Sequence, residues 1–538
     1  MLPSSWLNQR TQNVVSRSAV IIGVLSVLSR LIGVLRDRLL ASTFGAGTVL
    51  DAYYAAFKVP DFIFNTFVLG ALASALIPVF VHYRESEGRT QAFALAARVL
   101  NVLAIFLAVC AGLGALGAPW LVSLVAPGFD AASRVLTIEL TRVMLITVVV
   151  FGVSNVLSSV LQAEQRFVAF GVAPVFYNLG IIAGLFWFVP HLGAAGLGWG
   201  VVLGSVLHFL VQLPAVVRVG FRWRPWWSGT HEGVRQVVRL LAPRTLGLIA
   251  SQINQVITIS FVSHLAVGSL AAFSLASNLH SFPINVFGVS LAVAVFPLLS
   301  QAVSGQQQDE FIRYFSHNVR RVLFYVLPLS VLFLVLRAQL VRVVLGSGAF
   351  DWNDTIRTAQ VLGFLALAIV ADSVLPLVAR AFYALKDTRT PAMAAGLSII
   401  VNLLLLYTLR PFGLAGVGVA YVCSSVTNVV VLTALLGKRI GDLGSAWVVS
   451  GTWRMALGSL AAAASAYGTL QLVAPQVDMD TFLGVATQGG LAGLAGCLSY
   501  LVVSLTLKLP EVAWAERWLL AAWRVVTASS KGEARSGR

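Results

Sequence analysis

The residues whose type and spacing could do chemistry in this 538-residue chain are the few ionisable side chains set inside long apolar runs. Inside a membrane each costs about 3 kcal/mol or more unless it faces water or a partner, so each is a functional candidate by default. In the run 18–43, Gly23, Ser26, Arg30, Gly33 and Asp37 recur at the spacing of one helix face. Arg36 lies about 120° from Arg30 on a straight helix, at roughly 100° per residue. A break at Gly33 would bring both to one cavity. In the next run Asp51, Tyr54, Lys58, Asp61 and Asn65 form a second polar stripe, and Ser274, Ser277, Asn278, Ser281 and Asn285 form a third, uncharged one. Cationic side chains converging on one cavity offset the charge of an anionic substrate, bidentately in the case of arginine.

Plainer readings stand beside these. Arg36 and Arg38 can snorkel to an interface, and Asp51 can cap a helix N-terminus. Asp61 can be the salt-bridge partner of Lys58 one turn away, and Glu139 can pair with Arg142 in the same way. Arg30, deep in its run among small residues, is the hardest to explain structurally. Asp372 and Arg380 share a run and have no assignment.

The elements that must position these groups follow from composition. The chain is 58% hydrophobic and 11% charged, with a mean hydropathy of +0.87. Ordinary soluble domains are about a quarter charged, so a water-soluble enzyme and a disordered chain are both excluded. A net charge of +16 would suggest nucleic acid on a soluble protein; here it fits positively charged cytoplasmic loops. Spanning helices need about 20 apolar residues, and about 14 such segments run from 18–43 to 481–507. Loops rich in Arg and Lys (Arg84/Arg89, Arg166, Arg218–Arg239, Arg313–Arg321, Lys386/Arg389, Lys438/Arg439) alternate with loops nearly free of them (GAGTV, APGFD, HLGAAG, GSGAFDWND, APQVDMD). That parity predicts cytoplasmic N- and C-termini. The first run is read as an uncleaved span, despite Arg10 and Arg17 before it. Residues 511–525, with Trp514, Trp518, Trp523, Arg517 and Arg524, are read as an interfacial helix followed by a basic tail.

Several signals are negative. Cys110, Cys423 and Cys497 have no paired spacing, and the seven histidines show no metal pattern. GLGALG at 112–117 fits a dinucleotide fingerprint but lies in an apolar run with no strand before it. No GxxxxGK[ST] occurs, so no ATP site is predicted. The expectation is a non-enzymatic protein without an evident cofactor, driven by membrane potential or an ion gradient.

The sequence also repeats itself about 220 positions apart. GAAGLG at 193–198 answers GLAGVG at 413–418, and GALASALIPVF at 70–80 answers GVSLAVAVFPLL at 288–299. Each glycine motif follows a polar turn (163–167, 386–390) and a span bearing an asparagine (Asn178, Asn402). Six spans per repeat predict two six-helix lobes in a parallel pseudo-repeat around a central cleft, with two C-terminal helices outside it. That is the architecture of a transporter.

SRLIGVLRDRLLASTFGAG and DAYYAAFKVPD (29–61), APVFYNLGIIAG (173–184), PRTLGLIASQINQ (243–255), FGVSLAVAVFPLLS (287–300) and RAFYALKDTRTP (380–391) together resemble the MurJ/MviN family. These are the lipid II flippases of the multidrug/oligosaccharidyl-lipid/polysaccharide exporter superfamily. The resemblance implies an all-α polytopic protein of the bacterial cytoplasmic membrane that moves an undecaprenyl-pyrophosphate-linked glycan, the peptidoglycan precursor lipid II, to the outer leaflet. It implies substrate-binding roles for Arg30, Arg36, Lys58 and Asp51, beside which the polar stripes add Ser26, Asn65 and Asn278. Departures accompany it. FIFNTFVLG stands where the family has an LLRRIFAEG-like run, and ASNLHSFP where it has an ADRLMEFP-like run. Ser277, Asn278 and Ser281 thus replace charged residues.

The expected organisation is a cytoplasmic N-terminus (1–17), an N-terminal lobe (18–219), a basic linker (220–237) and a C-terminal lobe (238–437). Two further helices (448–507), forming a lipid-tail groove, and a cytoplasmic end (508–538) complete it. Partners are the anionic lipid-linked substrate, membrane lipids, and cell-wall synthesis or division proteins. Two other readings are a cation or drug antiporter of the same superfamily and a non-transporting scaffold for cell-wall enzymes.

Overall fold

The computed structural model describes residues 9–69, 72–225 and 231–513. The expected interfacial helix and basic tail lie outside them, apart from a 3-10 turn at Pro510–Val512. So do the extreme N-terminus and part of the linker. The described chain is helical throughout its apolar runs, as leucine, alanine and valine without an alternating pattern require.

Twelve helices among the described residues are long and apolar enough to cross a membrane. In chain order, α1 is Gln9–Phe44. Next come α2 (Thr48–Ser86), α3 (Arg89–Leu116), α4 (Ala131–Ala163), α5 (Phe167–Trp187) and α6 (Val189–Arg218). After α7, Glu232–Val262, follow α8 (Ser269–Ser304), α9 (Gln308–Val335), α10 (Trp352–Ala384), α11 (Arg389–Thr408), α12 (Arg410–Ile440), α13 (Ser445–Gln476) and α14 (Phe482–Thr506). The dozen are α2–α6 and α8–α14; α1 and α7, with side chains described only in part, are helices at the positions of the first and seventh expected spans. Leucine, valine and tryptophan side chains such as Leu113, Trp187, Leu404, Leu494 and Val502 stand exposed along these helices. An apolar surface of this extent needs a lipid environment. The protein is an all-α polytopic membrane protein.

The chain forms two compact units. The first comprises residues 1–274 with 344–354, and the second residues 275–343 with 355–538. In the first, α1 packs on α5, α5 on α6, and α4 against α2, α3 and α6. The α5–α6 seam is held by glycine: a Cβ at Gly180 would lie 2.3 Å from the Gly204 Cα, and one at Gly184 2.2 Å from the Gly200 Cα. Ser154, Ser158, His208 and Gln212 make a buried hydrogen-bonded set between α4 and α6. Segment 344–354 seats on the end of α1, where Ala349 N donates to Ser42 O at 2.8 Å and Ala46 N to Asp354 Oδ2 at 2.9 Å.

In the second unit α13 packs on α9 and α14, and α11 on α12. Phe315, Phe324, Phe382, Leu432, Met455 and Tyr500 share its core. Arg320 lies across the Trp447 ring at 3.9 Å and pairs with Glu511 at 2.6 Å, fixing the chain just beyond α14.

The sequence repeat recurs as backbone geometry. The turn residues Gln165 (φ 57°) and Lys386 (φ 60°) are both left-handed, as are Gly193 (φ 60°) and Gly413 (φ 58°). Gly196 and Gly416 abut backbone in the same way, a Cβ there meeting the Phe188 carbonyl carbon at 2.6 Å or the Leu409 oxygen at 2.1 Å. A π-helical turn interrupts α2 at Asn65–Leu69 and α8 at Ile284–Val289, each upstream of a helix-interior proline, Pro78 and Pro297. Such turns arise where one extra residue is carried in a helix, and they are frequent at functional sites.

Candidate functional site

The polar residues of α1 and α2 fall into one neighbourhood of the first unit. Arg36 donates through Nε and Nη2 to Asp37 Oδ1, at 3.0 and 2.7 Å, and through Nη1 to Asn178 Oδ1 on α5 at 3.0 Å. The Asn178 amide donates in turn to the carbonyls of Pro174 (3.0 Å) and Ser29 (3.3 Å). Gly33 faces this contact; a Cβ there would sit 3.7 Å from Asn178 Oδ1, an ordinary van der Waals distance. The helix runs through Gly33 without interruption, so the expected break is not there. Tyr53, Tyr54 and Tyr177 lie close enough for the Arg36 charge to act on them.

Lys58 and Asp61 sit one turn apart on α2, and each charge acts on the other. No ion pair within 4 Å joins them among the described residues. Asp51 is buried and does not cap its own helix, whose N-cap is Gly47. Its oxygens accept from Gly268 N and Ala271 N, both at 2.7 Å, at the start of α8. A carboxylate there satisfies orphan amides and complements the helix dipole. Asn65 opens the π-helical turn of α2 and donates to Gln252 of α7 at 3.4 Å.

Arg30 stands apart. It is half-buried on α1, and among the described residues it makes no hydrogen bond and no ion pair. Ser26, one turn earlier, is exposed. In the second unit, Asn278 is exposed on α8, and its carbonyl accepts from the Ser281 hydroxyl. The structure therefore joins Arg36 to Asp37 and Asn178, sets Lys58 beside Asp61, and ties Asp51 to the start of α8. Among the described residues Arg30 is a cation with no hydrogen-bond or ion-pair partner.

Other expectations come out differently. Glu139 and Arg142 do not pair; Arg142 Nε donates to the Ala115 carbonyl at 3.2 Å, because α3 ends within its reach. Arg38 reaches Val344 O at 3.4 Å. Sequence reasoning noted Asn178 only as a marker of the repeat. Its role as the Arg36 acceptor could have been suspected from a buried-type amide in a glycine-rich span.

The model of the family described as "Lipid II flippase MurJ" matches residues 40–486. A Burkholderia cenocepacia protein named lipid II flippase MurJ is 29% identical over 432 residues, covering 79% of this chain and 84% of the relative. A probable lipid II flippase MurJ of Vibrio cholerae is 26% identical over 511 residues, 91% of this chain and 96% of the relative. Among solved structures, a lipid II flippase MurJ in an inward closed conformation aligns with a TM-score of 0.75 at 22% identity, over 91% of this chain and 98% of that one. An inward-facing multidrug resistance transporter of the MATE family aligns at 0.66 and 15% identity, over 79% of this chain and 99% of that one.

Proposed function

The chain belongs to the lipid II flippase MurJ family, and from that premise we propose that it carries lipid II from the inner to the outer leaflet of the cytoplasmic membrane. It is a transporter and not an enzyme. The observation that carries the mechanism is Arg30, an intramembrane cation that meets no counter-charge among the described residues. A pyrophosphate drawn into a low-dielectric site needs positive partners. Arg36 and Lys58 carry charges already answered by Asp37 and Asp61, so Arg30 supplies the uncompensated attraction. Arg36 holds α1 to α5, Asp51 positions the start of α8, and Ser26, Asn65 and Asn278 offer neutral hydrogen bonds to the glycan or phosphates.

In this reading about 14 spans, with both termini cytoplasmic, form two six-helix lobes around a central cleft, and α13 and α14 guide the lipid tail. The lobes alternate access to the two leaflets, driven by membrane potential or an ion gradient. The duplicated backbone features of the two halves support it. Cell-wall synthesis or division proteins are the natural partners.

The test is rescue of a bacterial strain depleted of its own lipid II flippase, scored by growth and by lipid II headgroup exposure at the outer leaflet. Wild type is expected to restore both. Restored growth without headgroup exposure would overturn the transport reading in favour of a scaffold.

A further inference from the structure

The second unit holds an ionisable cluster that the substrate site does not use. His280 on α8 is 4% exposed. Its Nε2 lies 3.4 Å from Asp372 Oδ2 on α10, yet it makes no hydrogen bond of good geometry. The Tyr421 hydroxyl on α12 donates to the same Asp372 oxygen at 3.0 Å, and Ser425, one turn on, also hydrogen-bonds the carboxyl. The rings of His280 and Tyr421 meet edge to face at 5.8 Å. Three helices thus converge on one carboxyl inside the apolar part of the unit.

Among the described residues no fixed positive charge answers that carboxyl. Helix α8 contains no Lys, Arg, Asp or Glu, and α11, which packs on α12, has only Arg389 at its first position. On α12 the charged residues are Arg410, Lys438 and Arg439, all at its ends. On α10 the nearest cation is Arg380, about two turns away, where it donates to the Pro376 carbonyl at 3.4 Å. Arg320 of α9 is engaged by Glu511. Among the described residues no third ionised group acts on His280 or Asp372.

A carboxylate with a neutral imidazole leaves a net negative charge among apolar side chains, a costly state. One added proton makes the pair neutral, whether it rests on Asp372 or on His280, and the two sites titrate as a unit.

We propose that His280, Asp372 and Tyr421 form a proton-binding site whose occupancy is coupled to the transport cycle. A hydronium ion from one aqueous face gives up its proton, forming an O–H bond on Asp372 or an N–H bond on His280 Nε2. Release to water on the opposite face breaks that bond and restores the carboxylate and the neutral imidazole. Tyr421 keeps its own proton and orients the carboxyl. The cluster rests on the transport function above only for what the proton drives, and the test separates the two.

The full chain, with its native cysteines replaced by serine, would carry spin labels at Ala131 and Arg410 in lipid nanodiscs without substrate. Their distance distribution would be measured across pH 5–9. Wild type is expected to shift between two populations with pH. Asp372→Asn should remove the shift, and His280→Gln and Tyr421→Phe should each move its midpoint at least tenfold in proton concentration. Tyr421→Phe keeps every charge, so it remains informative if Asp372→Asn is poorly folded. A pH response unchanged in Asp372→Asn, or in both other variants, overturns the proposal. In proteoliposomes at clamped membrane potential, a pH gradient should accelerate lipid II flipping by wild type at least fivefold and leave Asp372→Asn unaffected. Flipping by wild type that ignores the gradient overturns the coupling and leaves lipid II transport standing. An Asp372-dependent population shift in a protein that flips no lipid II supports the proton site and sinks the lipid II reading.

Discussion

Arg30 and Arg36 are about one and two-thirds turns apart and do opposite things. Arg30 has no partner among the described residues, so Arg30→Ala strands none of them; the protein should reach the membrane in normal amount and lose at least tenfold in lipid II exposure, with Arg30→Lys recovering much of it. Equal flipping by Arg30→Ala and wild type would remove the anion-binding mechanism. Arg36→Ala instead removes one side of the pair with Asp37 and the donor to the Asn178 carbonyl oxygen. Breaking a buried pair from one side costs about 3–5 kcal/mol, so this variant should lose transport through lost folded protein, read as a drop in fluorescence-detected melting temperature. Asn278→Ala, on an exposed position, should be mild in both assays. Helical spacing picked out Arg30, Arg36, Lys58 and Asp51 because apolar surroundings make charge conspicuous. It could not show that Arg36 also binds Asn178 or that Asp51 is satisfied by the start of α8, because those groups lie 142 and 217 residues away.

Among elements, the α5–α6 seam is the least forgiving. Backbone meets backbone at Gly180 and Gly204, so no side chain can move aside. Gly180→Val should cost about 3 kcal/mol, the upper end for overpacking, and Gly193→Ala, with open space but φ 60°, should cost less. Differential scanning fluorimetry in detergent would rank them. The turn before α11 gives a pH signature outside the spans. Burial pushes the Asp387 carboxyl up, but hydrogen bonds from Thr390, Arg389 N and Arg439 outweigh it and hold it below the usual carboxylate range. Its contribution is therefore complete above the ordinary value of about 4 and fades as pH falls through the lower folded value. Asp387→Asn should lower the melting temperature at pH 7, and the difference should close in strong acid; a constant difference would refute that origin. The glycine motifs were legible because close packing leaves only glycine possible. The π-helical turns of α2 and α8 were not, because one extra residue in a helix leaves the apolar composition unchanged.

For the whole molecule, charge alternation between loops carries the topology. A cysteine at Ser347 should react with a membrane-impermeant maleimide added to intact cells, and one at Asp442 should react only after permeabilisation. The reverse pattern would invert the transporter in the membrane. The all-helical membrane fold was readable because length and hydropathy suffice to specify spans. The pairing of helices was not, since lipid and helix interiors are equally apolar and small-residue packing chooses the neighbours.

The bond from Asp51 to the start of α8 also sets a clock on biosynthesis. Its acceptor and donor are 217 residues apart, and at ~5–20 residues per second synthesis of that stretch takes on the order of 10–40 s. Throughout that interval the carboxylate has been delivered to the membrane while the amides that satisfy it do not exist. Asp51 is the fourth residue of α2, close to the end of its span, where an unanswered carboxylate costs less than at the centre. A slower ribosome lengthens the exposure, so codon choice between positions 51 and 271 becomes part of how this helix is capped.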